Sequence, residues 1–227
     1  MFIGHFALGF AAKRAAPRAS LGTLFLAAQF IDLLWLTFLL LGLERVRIDP
    51  GLSGAPLDFV HYPISHSLLA ALGWGALLGV VYFVLTQRRR EAWIVALLVV
   101  SHWMLDFLVH RPDLPLWFDG GQKLGLGLWD WPGVELALEL ALFAACFAVY
   151  LRTPSGHGAG WKAWALAALL IVIQIGNAFG PPPPSVEAIA WVGQAQWLLV
   201  AAAYWVDRPR PSASASGGLA ARASASQ

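Results

Sequence analysis

The chain has 227 residues, 59% of them hydrophobic and 12% charged, with a mean hydropathy of +0.65. That composition excludes an ordinary soluble domain and marks an integral membrane protein, because its apolar runs are long enough to cross a hydrocarbon layer of about 30 Å. The net charge of +2 comes from short basic clusters between apolar runs, a topology signal, so no nucleic-acid partner is expected. A single cysteine, Cys146, lies in an apolar run and excludes an intrachain disulfide.

Residues 1–12 are apolar but only about 18 Å long as a helix, so this short N-terminal element is expected to be interfacial or partly inserted. Gly4, Gly9 and Ala12 give it a small-residue side for close packing, with His5 beside that side. Its apolar run precedes Lys13 and Arg14, the reverse of a secretory signal, and residue 1 onward reads as mature protein.

Residues 21–43 form the first full span, with Asp32 about 16 Å from either end. The loop 44–63 carries Pro50, Gly51, Gly54 and Pro56 and leads into His-Tyr-Pro-Ile-Ser-His-Ser, which contains His61 and His66. Spans are expected at 64–85 and 92–110, separated by Arg88, Arg89 and Arg90. The second of these places His102, Asp106 and His110 at successive i, i+4 positions, which on a continuous helix share one face. A straight hairpin turning at Arg89 would leave His66 about 10 to 15 Å above His102, so tilt, a turn near Thr86 or a break around Gly73 and Gly75 is needed to join them.

Residues 111–132 form a long connection rich in Gly, Pro, Trp and Asp, with Trp117, Trp129 and Trp131 suited to the membrane boundary or to a lid. Spans at 134–151, 161–179 and 186–206 complete an all-α bundle of about six transmembrane helices, and Pro181 to Pro184 make a stiff connector. Residues 1–206 read as one polytopic membrane domain and 207–227 as a disordered cytoplasmic tail. Lys13, Arg14, Arg18, Arg88, Arg89, Arg90, Arg152, Lys162, Arg208, Arg210 and Arg222 fall on one side, which should be cytoplasmic; Arg45, Arg47, Arg111 and Lys123 fall on the other.

A carboxylate at the bilayer centre costs roughly 2.5 to 3.5 kcal/mol, so Asp32 and Asp106 need compensation. An interhelical hydrogen bond returns only about 0.6 to 2 kcal/mol, whereas structural zinc binds with about 10 to 16. The economical reading is a divalent metal, zinc by the His and carboxylate donors, as one or two ions. His66, His102 and Asp106 lead the ligand set, with His5, Asp32, His61 and His110 as further candidates. The plainer reading is that Asp106 pairs with His102 or Arg111 and only knits helices. Glu135 and Glu139 offer a further ligand or base, or merely favour a helix start. Arg111 is expected to snorkel and pair with Asp113 more than to clamp a phosphate. Gln174, Asn177, Gln194 and Gln196 read as interhelical hydrogen-bond partners, and His157 as a solvated loop residue.

Gly4-His5, Asp32, His61-x4-His66-Ser67, and Ser101-His102-x3-Asp106 followed by Leu114-Pro115-Leu116 occur in an order that resembles the YdjM-type bacterial inner-membrane proteins, described as membrane-bound metal-dependent hydrolases. The resemblance covers about the first half of the chain. It implies a bacterial inner-membrane location and catalysis by Asp32, His66, His102 and Asp106. The chain departs from the family at Phe30-Ile31-Asp32, where an Asp-x-Asp pair is usual, and at Tyr62-Pro63, where Arg-Gly follows the first histidine. His110 is the candidate to replace the missing carboxylate. More distantly, the helical His-x3-Asp pattern is similar to zinc-dependent phospholipase C and fungal single-strand nucleases, an analogy of reaction class only.

The expected activity is hydrolysis of a phosphoester or lipid-like substrate near the outer leaflet, through a water whose pKa the metal lowers toward about 7. Membrane lipids are the expected partners. A transporter or proton-coupled permease, and a non-catalytic scaffold stabilised by metal, are the alternatives.

Overall fold

A computed structural model describes residues 1–118 and 121–207; the expected tail beyond Asp207 lies outside the described residues. Among the described residues, six helices are long and apolar enough to cross a membrane, and the chain is an all-α integral membrane protein.

Helix α1 (Ile3–Ala15) is apolar through most of its circumference and is correspondingly buried, with Ile3, His5, Phe6 and Phe10 all inside the bundle. At 13 residues it reaches only about 20 Å, so it crosses part of the domain from within. It ends where Lys13 Nζ donates to the Ala19 carbonyl and pairs with Asp207, both at 2.7 Å. It is therefore an internal half-helix and not an interfacial one. Helix α2 (Leu21–Leu40) starts at Ser20, whose hydroxyl accepts from the Thr23 amide at 3.1 Å.

The Gly/Pro-rich stretch after α2 contains an antiparallel hairpin, β1 (Arg45–Ile48) with β2 (Leu57–His61), in which Val46 faces Phe59. A single turn, α3 (Pro63–His66), follows, and extended backbone at Ser67 separates it from α4 (Leu68–Thr86). The break that frees His66 is thus at Ser67; α4 runs unbroken through Gly73 and Gly75. Gln87, in left-handed conformation at φ 58°, turns the chain into α5 (Arg89–Val109).

Gly75 and Gly79 let α4 close on α5, as small residues do between membrane helices. A Cβ on Gly75 would stand 2.8 Å from the Ala96 carbonyl oxygen, whereas one on Gly73 would meet nothing within 4 Å. Gly75→Leu is therefore expected to cost about 1–3 kcal/mol, read as a lowered thermal midpoint in detergent, while Gly73→Leu leaves the midpoint nearly unchanged.

Beyond α5 come β3 (Leu114–Pro115) and β4 (Lys123–Leu124), paired antiparallel, and a 3-10 turn at Leu128–Asp130. Arg111 binds Asp130 Oδ1 at 2.9 Å and the Ser53 carbonyl at 2.5 Å, tying this connection to the β1–β2 hairpin. Its carboxylate partner is thus Asp130, and Asp113 is taken by His110. Then follow α6 (Pro132–Leu151), α7 (Pro154–Ala159), α8 (Trp161–Phe179), α9 (Val186–Gly193) and α10 (Gln196–Val206). His157 lies exposed on α7. The sixth span is two helices, interrupted at Gln194, whose side chain donates to Thr37 Oγ1 of α2 at 3.1 Å.

One apolar cluster joins Phe10, Phe25, Phe143, Phe147 and Tyr150, with α8 and α10 closing it. A second, containing Trp35, Phe59, Tyr62, Val99 and Trp103, flanks the polar centre described below. At one end Arg88 donates to the Arg18 carbonyl and Lys13 meets Asp207; at the other Arg111 joins the two long loops. The basic-rich and basic-poor loops thus occupy opposite ends.

Candidate metal centre

Four elements bring ionisable side chains to one point: His5 from α1, Asp32 from α2, His66 from α3, and His102 and Asp106 from α5. His102, His5, His66 and Asp106 are each no more than 2% exposed. The Asp32 side chain, 21% exposed, is the accessible member. His66 Nε2 lies 3.5 Å from Asp32 Oδ1 and 3.7 Å from Asp106 Oδ2, and His102 Nε2 lies 3.5 Å and 3.1 Å from the same oxygens. Ligand bonds of about 2.0–2.2 Å at tetrahedral angles set donor-to-donor edges of about 3.3–3.6 Å. The donors already stand at nearly that spacing. Two sets, His5–Asp32–His102 and His66–His102–Asp106, each have potential ligand atoms within 4.8 Å of one another and could hold a metal ion.

The hydrogen bonds around His102 test whether these residues fit a cation. His102 Nδ1 meets the Ala28 carbonyl at 2.8 Å. A carbonyl can only accept, so Nδ1 carries the proton and a neutral ring presents its lone pair at Nε2. That Nε2 is buried without a hydrogen-bond partner, facing two carboxylates. A lone pair set against two anionic oxygens is repulsive unless something positive, a second ring proton or a metal ion, lies between them. A divalent cation fits, and the carbonyl behind Nδ1 is the outer support that metal-bound histidines commonly have.

His5 stacks on His102 with centroids 3.6 Å apart and planes 4° from parallel, and its Nε2 is 3.1 Å from Asp106 Oδ1. The amino group of Met1 is 3.0 Å from the same oxygen. Asp106 therefore faces His66 and His102 through one oxygen and the start of the chain through the other.

His61 and His110 stand apart. His61 ends β2, paired with Arg45 and half-buried, on the strand side of the Tyr62–Pro63 corner. His110 follows the last helical residue of α5 with ψ at 145°, so the i+4 register that would have aligned it with Asp106 has stopped. Its Nδ1 is 2.8 Å from Asp113 Oδ1, and its ring packs 4.1 Å from Trp129 and 6.4 Å from His66. Burial pushes the His110 pKa down. Tyr62 donates to the same Asp113 oxygen at 3.0 Å, and burial, then the Asp113 charge, hold its pKa well above the ordinary phenol value.

Glu139 is fully buried, and its Oε1 accepts from the Phe2 amide at 2.8 Å, so it caps the start of α1 and stands outside both ligand sets. Glu135 is only half-buried. Sequence reading passed over the buried Gln29, whose amide is 3.5 Å from the Phe2 carbonyl, and gave Asp113 and Tyr62 other roles than the one they have here, bracing His110. A polar residue in a span, such as Gln29, was the one available signal. No family model, curated protein or solved structure matches the chain.

Proposed function

We propose that the protein is a membrane-embedded metal-dependent hydrolase holding one divalent ion, zinc by the donor types, among Asp32, His66, His102 and Asp106, with His5 beside them. The observation that carries this reading is the orphaned His102 Nε2 between two carboxylates. One ion is favoured over two because both candidate sets need His102, and its other nitrogen is committed to Ala28. The ordered partial resemblance to YdjM-type proteins points the same way.

When bound, the ion supplies Lewis acidity and lowers the pKa of a coordinated water toward about 7. His66 and His102 direct their Nε2 atoms inward, and Asp32, as the accessible group, faces the approaching substrate. His110, backed by Asp113, offers Nε2 as a place to hold a proton beside the centre. Trp129, over His110, and the Arg111 links to Asp130 and Ser53 close the site from the loop side.

Asp32 lies about 12 Å and His102 about 10 Å along their helices from the basic-poor end. If the basic-rich end is cytoplasmic, as in a bacterial inner membrane, the centre lies in the outer half of the bilayer, which suits a phosphoester or lipid-like ester. In lipid nanodiscs, turnover of such esters should disappear on chelation and return with zinc. Stoichiometric zinc without turnover across a phosphoester and lipid-ester panel contradicts the hydrolase and favours a metal-stabilised scaffold. A proton-coupled permease instead predicts ion flux in proteoliposomes that does not depend on zinc.

A further inference from the structure

We infer that Glu44, a residue outside every span, is a positioning residue that fixes which nitrogen of His66 faces the metal centre. This rests on the metal reading above. Glu44 is 2% exposed, and among the described residues no cation pairs with it. Its charge is met by three donors: Oε1 accepts from the Ile64 and Ser65 amides, each at 2.8 Å, and Oε2 accepts from Ser65 Oγ at 2.6 Å. The first two bonds pin the turn α3 that carries His66. The third determines a proton position.

Ser65 Oγ has one proton and three partners, Glu44 Oε2 at 2.6 Å, His66 Nδ1 at 2.7 Å and, farther off, the Tyr62 carbonyl at 3.5 Å. The carboxylate and the carbonyl can both only accept, and Glu44 Oε2 is the nearer and the charged one, so the hydroxyl proton goes to Glu44. Oγ must then accept from His66, which places the imidazole proton on Nδ1 and the lone pair on Nε2. Nε2 is the atom 3.5 Å from Asp32 and 3.7 Å from Asp106. Glu44 thereby does for His66, through a hydroxyl, what the Ala28 carbonyl does directly for His102. The two histidines enter the centre in the same tautomer by different routes, and a carboxylate behind the ring also makes Nε2 the stronger donor.

Glu44→Gln keeps the shape and reverses the relay. Its amide oxygen can still accept from Ile64 and Ser65, but its NH2 then donates to Ser65 Oγ. The serine proton then turns to His66 Nδ1 at 2.7 Å in preference to the Tyr62 carbonyl at 3.5 Å, and the imidazole proton moves to Nε2, facing the centre. Zinc affinity, measured by competition titration on the purified full chain, is expected to fall about 10- to 100-fold in Glu44→Gln. Ser65→Ala, which leaves the Glu44 caps in place, should lose a similar amount, and the double variant little more. ¹⁵N-histidine spectra of the metal-free protein at pH 9 should show His66 protonated on Nδ1 in the parent and on Nε2 in Glu44→Gln. Parent-like zinc affinity, within about twofold, with an unchanged His66 spectrum overturns the relay. A parent protein that binds no zinc at all overturns the metal reading instead, and the spectra then judge the relay alone.

Discussion

Asp106→Asn is expected to lose stoichiometric metal, with affinity down by more than about 100-fold, beyond the usual cost of an outer support. Asp106 is the residue on which the centre converges: one oxygen faces His66 and His102, the other His5 and the Met1 amine. Asparagine keeps the volume but brings an N–H or a neutral oxygen to where a cation needs an anion. The metal-free fold should weaken as well, because Asp106 also meets the buried Met1 amine, and removing one partner of a buried ion pair costs about 3–5 kcal/mol. Metal analysis and thermal unfolding of the same sample therefore both report a loss: less metal, and metal-free stability below the parent's. His102→Ala should also lose the metal, since His102 belongs to both candidate sets, and its stability should fall for a different reason, a cavity at a fully buried position. Retention of one metal per chain in Asp106→Asn would place the ion elsewhere.

Chelation of the zinc-loaded parent should lower its thermal midpoint, and the same treatment should leave Asp106→Asn unmoved. An ion present at 100 to 1,000 times its dissociation constant stabilises the folded state by about 2.7 to 4.1 kcal/mol. For a chain of this length that corresponds to a shift of roughly 5 to 15 °C. The physical source is the arrangement around His102 Nε2, where without a cation two carboxylates and two imidazole lone pairs face one another in a buried space. An equal response of parent and variant to the chelator would assign the effect to something other than this centre.

The six spans were legible because apolar runs of this length have few other uses, and Asp32, His66, His102 and Asp106 stood out as ionisable groups inside or beside such runs. Reading failed where local backbone changes direction. His110 seemed to continue the His102–Asp106 face, yet α5 ends at Val109; the break at Ser67 and the interruption at Gln194 vanish in a hydropathy average. The β1–β2 hairpin was hidden because Pro50, Gly51, Gly54 and Pro56 read as loop. The burial of α1 could have been read from its apolar residues on every side, since such a helix has no face to offer water. Glu44 carried no signal, because a charged residue at the end of a span is ordinary until its three donors are seen.

X-ray absorption at the zinc edge of the purified, zinc-loaded protein tests the central claim most directly. The account predicts one zinc per chain with nitrogen and oxygen ligands at about 2.0–2.2 Å and outer-shell scattering from at least two imidazoles. A protein that takes up no zinc, or a spectrum with water oxygens alone and no imidazole scattering, would contradict it.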